Sequence, residues 1–172
     1  MAAVTLIIDV RVVAPNEAAW LEDVFNANWP WPREPGFVTD RIDTETHFVA
    51  TLADGTYLGH CRVVPVPTYA PFRDAGIPET QDLNVMPPHR RLGAASALLD
   101  RAEALIAESS PVAGIGVGLY NDYGPAQALY TRRGYVLDGT GAWWNGESVR
   151  GGESVVADDD LVVFLTKRLR AG

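Results

Sequence analysis

Cysteine is almost absent from this chain: Cys61 is the only one among 172 residues. No intrachain disulfide can form, which fits a reducing compartment and a cytoplasmic protein. Cys61 lies inside Leu58–Val64, a strand-like run, and reads as a small buried hydrophobe rather than a nucleophile. Histidine is also scarce. His47, His60 and His89 never combine with Cys, Asp or Glu at metal-ligand spacing, so no metal is expected. No apolar run approaches the ~20 residues of a membrane span, and Met1–Asp9 lacks the basic start of a secretory signal. Basic residues are few: 14 Lys and Arg against 22 Asp and Glu give a net charge of −8. That balance argues against nucleic acid and anionic membranes as main partners. There is no Gly-x-x-x-x-Gly-Lys-Ser/Thr loop and no Gly-x-Gly-x-x-Gly turn, which removes two common phosphate sites. No Ser-His-Asp constellation is visible.

What remains suffices for one domain spanning 1–172, since 47% hydrophobic residues can build a single core. Thr5–Val13 is rich in Val and Ile and reads as a first strand. Pro15 opens a helix carrying Ala18, Leu21 and Phe25. Pro30, Pro32 and Pro35 break Asn28–Gly36 into loop or turns. His47–Leu52 and Thr56–Val64 flank Asp54-Gly55, a hairpin signal. Pro65–Pro78 reads as a long loop, Glu79–Met86 as a fourth strand and Gly93–Glu108 as the central helix. Val112–Leu119 reads as a fifth strand and Pro125–Arg133 as a short helix. Tyr135–Leu137 opens a sixth strand and Leu161–Leu165 is the core of a seventh, with a long hairpin excursion between them. The pattern is α/β with one mixed, mostly antiparallel sheet. In the fifth strand Gly114, Gly116 and Gly118 share one face, so either a packed helix or a ligand approaches it closely.

The most informative stretch is Val85-Met86-Pro87-Pro88-His89-Arg90-Arg91-Leu92-Gly93-Ala94-Ala95-Ser96. A strand, a tight turn of small residues and a helix N-terminus make an anion site. First-turn amides have no intrahelical acceptor, and the helix dipole favours negative charge there. Small residues at 93–95 let phosphates approach the backbone, and Arg90 and Arg91 add charge-assisted donors. A second stretch, from Asn121 to Tyr135, follows the fifth strand. Arg90-Arg91 and Arg132-Arg133 are the only adjacent arginine pairs in the sequence. In an acidic chain they mark where a polyanion can be held; solvated surface charge is the alternative. His89 is either structural or a further phosphate contact.

The two stretches together resemble the GNAT N-acetyltransferase superfamily. Val85, Pro87, Arg90, Gly93 and Ala95 match its acetyl-CoA motif, Val-x-Pro-x-x-Arg/Gln-x-x-Gly-x-Gly/Ala. Asn121, Ala126, Leu129, Tyr130, Gly134 and Tyr135 fit its second CoA segment. The resemblance implies the family's fold, a mixed, mostly antiparallel, twisted sheet of about seven strands flanked by helices. It implies that acetyl-CoA is held by Val85, Arg90, Arg91, Leu92, Gly93, Ala94, Ala95, Ser96, Asn121, Ala126 and Tyr130. It also implies that the fourth and fifth strands splay around the pantetheine arm, and that a main-chain amide near Val85 bonds the thioester carbonyl. A preorganised N–H there can contribute ~3 kcal/mol to transition-state stabilisation.

By the same resemblance Tyr130 protonates the departing thiolate; the alternative is a core aromatic beside Leu129. Thiols near ~8.5 and tyrosines near ~10 make that transfer uphill by about 2 kcal/mol unless the site lowers the tyrosine. Glu79 and Asp82 are the candidate bases, acting through water or attracting a cationic amine; a solvent-facing role is the alternative. Trp29, Trp31, Trp143 and Trp144 fall in segments where the family builds acceptor walls, and a ring beside acids suits a cation. Hydrophobic plugs or a homodimer contact are their other reading. Asp158-Asp159-Asp160 precede the seventh strand, either on the acceptor side or on a solvated face. The expected activity is acetyl transfer from acetyl-CoA to a primary amine of a small cationic molecule. A non-catalytic acyl-CoA-binding sensor or interaction module on the same fold is the alternative.

Overall fold

The computed structural model of the chain describes residues 7–30 and 32–169. Its strands are β1 Ile8–Val12, β2 Thr46–Leu52, β3 Tyr57–Val64, β4 Glu79–Val85, β5 Val112–Gly118, β6 Val136–Trp144, β7 Glu147–Ser148 and β8 Leu161–Arg168. Its α-helices are α1 Ala18–Asn28, α2 Ala70–Ala75, α3 Ala94–Ala107 and α4 Gly124–Arg132. The sheet is the mixed one expected, with eight strands among the described residues where about seven were expected; the added one is the two-residue β7, too short to show a period. One expectation is corrected. The expected loop Pro65–Pro78 contains α2, where Pro71 sits in the first turn and its missing N–H costs no helical bond.

The chain falls into two compact units, one within 1–65 and 80–105, the other within 66–79 and 106–172. In the first unit the strand order is β1-β2-β3-β4. β1 and β2 pair antiparallel from Ile8↔Leu52 to Val12↔Phe48, and β2 pairs antiparallel with β3 from Thr46↔Val63. The hairpin between β2 and β3 closes at Gly55, whose amide donates to the Leu52 carbonyl at 2.9 Å. Ala18, Leu21 and Phe25 recur at helical spacing on α1 and pack with Val49, Tyr57 and Met86. α3 buries Ala94, Leu98, Leu99 and Ala102. The fully buried Cys61 thiol lies 4.0 Å from the Leu98 carbonyl, and burial pushes its pKa up. It is an inert core residue.

The second unit has the order β5-β8-β6-β7. β5 and β8 pair antiparallel from Val112↔Arg168 to Gly118↔Val162. β6 pairs with β8 at Val136↔Thr166 and Leu137↔Leu165, breaks, and resumes at Ala142↔Val163. The break passes through Gly139 and Gly141 at φ 91° and 81°, a left-handed backbone that residues with a Cβ rarely take. α4 is tied to the end of β5 by Gln127 Nε2, which donates to the Gly118 carbonyl at 2.7 Å.

Candidate active site

β4 ends at Val85, and the next residue, Met86, is buried with its amide given to the Leu58 carbonyl at 2.8 Å. A 3-10 turn over Pro87–His89 then leads outward. Arg90 Nε donates to the Val85 carbonyl at 3.4 Å. Arg91 takes φ 66° and Gly93 φ 99°, so two left-handed residues shape the approach to α3. Arg90, Arg91, Leu92 and Gly93 are exposed, Ala95 and Ser96 half-buried and Ala94 buried. A Cβ on Gly93 would meet only Ile8 Cδ1, at 3.8 Å. Space is therefore open on the side of Gly93 to which a Cβ would point, and the first-turn amides of α3 that follow have no intrahelical acceptor.

Upstream on β4, Asp82 also has a left-handed backbone, φ 52°. Its two carboxylate oxygens are taken by different arginines. Arg62 Nε donates to Oδ2 at 2.5 Å and Arg33 to Oδ1 at 3.1 Å. Arg62 also donates to Glu45 and, at 2.7 Å, to Gln81. Burial alone would lower the Arg62 pKa, but Asp82 and Glu45 outweigh it and raise it. The segment carrying Arg33 is organised by Glu22 of α1, which accepts the amides of Val38 and Thr39 at 2.7 and 2.8 Å. Both ring nitrogens of His47 lack a hydrogen-bond partner; its Nε2 is 3.7 Å from a Glu45 oxygen. His60 accepts or donates at 2.6 Å to the Tyr57 hydroxyl through Nδ1. Both histidines are buried.

In the second unit Asn121 opens an exposed 3-10 turn after β5, and Ala126 is half-buried on α4. Tyr130 is 5% exposed, with its ring 5.9 Å from that of Tyr135. Its carbonyl accepts the Tyr135 amide at 3.0 Å, which fixes the turn at Gly134. Glu79 is 4% exposed. Trp143 meets Tyr69 edge-on at 4.9 Å, and Tyr69 stacks on Phe164 at 3.5 Å. The Tyr69 hydroxyl donates to Asp138; burial first, then this carboxylate, raises the Tyr69 pKa. Asp158 accepts from Trp144 Nε1 at 3.2 Å, and Asp159 from the hydroxyls of Tyr120 and Tyr123.

Val85, Asp82 and the 90–96 turn thus fall in the first unit, and Glu79, Asn121, Ala126 and Tyr130 in the second. Trp29 stacks on Phe25 at 5.4 Å and packs on the α1 core. Trp31 lies outside the described residues. Tyr69, Asp138 and Phe164 carry no local sequence signal; only the glycine stripe of β5 announced that something lies close. Among the described residues no group of three or more His, Cys, Asp or Glu could hold a metal, and no helix is long and apolar enough to cross a membrane.

The sequence model of the acetyltransferase (GNAT) family matches residues 16–135. A comparison with curated proteins finds no match. Among solved structures, the chain is similar to yncA from Salmonella typhimurium, determined with its cofactor acetyl-CoA. The TM-score is 0.65 at 15% identity, over 96% of this chain and 95% of that one. It is similar to Ard1 from Thermoplasma volcanium, with a TM-score of 0.66 at 16% identity over 95% and 98% of the two chains. It is also similar to mutant forms of the spermidine/spermine N-acetyltransferase SpeG from Vibrio cholerae. There the TM-score is 0.61 at 17% identity, over 94% and 95%.

Proposed function

Because the chain belongs to the acetyltransferase (GNAT) family, whose members are acyltransferases, we propose that it transfers the acetyl group of acetyl-CoA to a primary amine of a small cationic molecule. The observation that carries this reading is the exposed turn before α3, with its left-handed Arg91 and Gly93 and the open space to which a Gly93 Cβ would point. Val85 and the residues Arg90 to Ser96 would hold the pyrophosphate and the pantetheine arm. Asn121, Ala126 and Tyr130 would supply the remaining contacts. Acetyl-CoA brings the activated thioester. The Met86 amide is already given to Leu58, so a β4 amide before it would donate to the thioester oxygen.

The amine nitrogen attacks the carbonyl carbon, the C–N bond forms and the C–S bond breaks. Tyr130 gives its hydroxyl proton to the departing thiolate, and the proton shed by the amine passes through Glu79 and water to restore it. Asp82 is tied to Arg33 and Arg62 through both of its carboxylate oxygens. The test is CoA thiol release from acetyl-CoA over a panel of amines, with the acetylated product identified by mass. Acyl-CoA binding without thiol release for any amine would instead support the second reading, a non-catalytic acyl-CoA sensor. The burial of Tyr130 is the observation that favours that alternative.

A further inference from the structure

Asp138 is a carboxylate held only by neutral groups. It sits in the break in β6, between the paired Leu137 and Ala142. Its Oδ1 accepts from the Thr140 amide and from the Thr140 hydroxyl, both at 2.9 Å. Its Oδ2 accepts from the Tyr69 hydroxyl at 2.5 Å. A carboxylate offers about four lone-pair positions, so one on Oδ2 is left over. Among the described residues no Lys or Arg is paired with Asp138.

The carboxylate stands beside an aromatic wall. Trp143 Nε1 donates to Thr140 Oγ1 at 3.0 Å, so one hydroxyl joins the indole to the charge. Trp143 stands at 90° to Tyr69, which stacks on Phe164 with the rings 9° from parallel. Tyr69 is 6% exposed, whereas Trp143 and Asp138 are half-buried and reach solvent. Burial, then Asp138, then Glu79 raise the Tyr69 pKa, so the phenol keeps its proton and stays a donor. Other acids near aromatic rings in this unit offer less. Glu79 is buried and already engaged, so it is no seat for a further cation. Asp159 is exposed, bonded to two tyrosine hydroxyls. Asp158 is half-buried and accepts from the Trp144 indole, but among the described residues no other ring contacts Trp144.

We propose that the acceptor is a diamine or short polyamine, whose second ammonium, not the one acetylated, lies against Trp143 and donates to Asp138. This deepens, and rests on, the acetyltransferase reading. The charge-assisted bond and the ring both reward a cation. A methyl group in its place gains neither. Asp138 and Trp143 then set specificity, and Thr140 and Tyr69 are positioning residues that hold them.

Thiol release is measured with 1,3-diaminopropane, 1,4-diaminobutane and 1,5-diaminopentane. Each is paired with the monoamine that has methyl in place of one ammonium: n-butylamine, n-pentylamine and n-hexylamine. The best diamine should exceed its monoamine in kcat/KM by about 10-fold or more, the scale of one charge-assisted contact. Asp138→Asn keeps the shape and removes the charge, and should collapse most of that ratio. A purely structural role for Asp138 would slow both amines alike and leave the ratio where it was. Trp143→Leu keeps the carboxylate, and should lower the ratio roughly 3-fold; Trp143→Phe should restore most of it. Thermal melts establish that each variant folds. Monoamines that match or beat every diamine, or an unchanged ratio in folded Asp138→Asn or Trp143→Leu chains, overturn this inference alone. So does a ratio that collapses in Asp158→Asn instead. No thiol release with any amine overturns the acetyltransferase reading and this inference with it.

Discussion

Gly116 of β5 stands opposite Phe164 of β8 in the antiparallel ladder, and the phenyl ring occupies the space a side chain would take. At Gly114, two residues earlier, the ring of Phe72 from α2 fills the space a side chain would take, and Phe72 is 1% exposed and cannot swing into solvent. Overpacking a filled site costs about 1–3 kcal/mol. Gly114→Ala should therefore lower Tm by roughly 2–4 °C per kcal/mol for a chain of this size. Thermal melts decide it, and a wild-type Tm would mean that Phe72 repacks freely.

Arg91 is a bulky residue in left-handed backbone, φ 66°, which costs roughly 1–2 kcal/mol compared with glycine. Strain of this kind gathers at ligand sites. Arg91→Gly should raise the unfolding free energy by about 1 kcal/mol while weakening CoA, because a guanidinium leaves the phosphate turn. Gly93→Val should abolish CoA binding in a chain that still folds, since the open space tolerates the side chain but φ 99° does not. Denaturant unfolding and calorimetric CoA titration read the two effects separately. Gains in both stability and CoA affinity for Arg91→Gly would remove Arg91 from the site.

Tyr130→Phe should still bind acetyl-CoA yet release thiol at least ~10-fold more slowly, the low end for loss of a general acid. Single-turnover kinetics separates the chemical step from binding. Wild-type turnover would leave Tyr130 as a packing partner of Tyr135.

His47 and His60 are each 1% exposed. Burial pulls both from 6.5 to about 4; around His47, Arg62 and Arg41 add to this and Asp82 opposes it. The unfolded chain takes up these protons near 6.5, and the folded chain only near 4. Between those values the unfolded state holds more protons, so stability falls as pH falls. The contribution is intact above the unfolded value and lost progressively down through about 4, to a limit of about 3 kcal/mol per histidine. Urea unfolding across this window should show the loss, and His47→Leu should remove roughly half of it. An unchanged acid slope in that variant would assign the sensitivity to other groups.

Much of the fold and half of the site are local enough to read in sequence. The 85–96 turn is announced by Pro87, Gly93 and the helical spacing after it. The 3-10 turn and α4 that follow β5 are announced by Asn121, Pro125 and Gly134. α2 is hidden because Pro67, Pro71 and Pro78 read as loop, although Pro71 occupies a tolerated position. Long-range partners leave no such trace. Asp82 meets Arg33 and Arg62 from 49 and 20 residues away, and Tyr69 meets Asp138 from 69 residues away. The glycine stripe on β5 did signal a close approach. Of the two expected neighbours, a packed helix and a ligand, helix α2 supplies Phe72 against Gly114; that Phe164 of β8 and Tyr123 lie against Gly116 and Gly118 depends on pairing that sequence alone does not reveal.

The last prediction concerns capture of the acceptor. The chain carries a net charge of −8. The hydrogen bonds from Trp144, Tyr120 and Tyr123 orient Asp158 and Asp159 without removing their charge. A field of that sign speeds the encounter with a cationic amine, and salt screens it over a Debye length of ~10 Å at 0.1 M. The apparent second-order rate constant for the amine should therefore fall as ionic strength rises. Salt also weakens binding of the polyanionic acetyl-CoA, so the assay must hold acetyl-CoA saturating at every salt concentration. Under that condition an anionic acceptor would show the opposite trend. A rate constant that rises with salt, or a best substrate that is anionic, would count against a cationic acceptor while leaving the acetyl-CoA turn untouched.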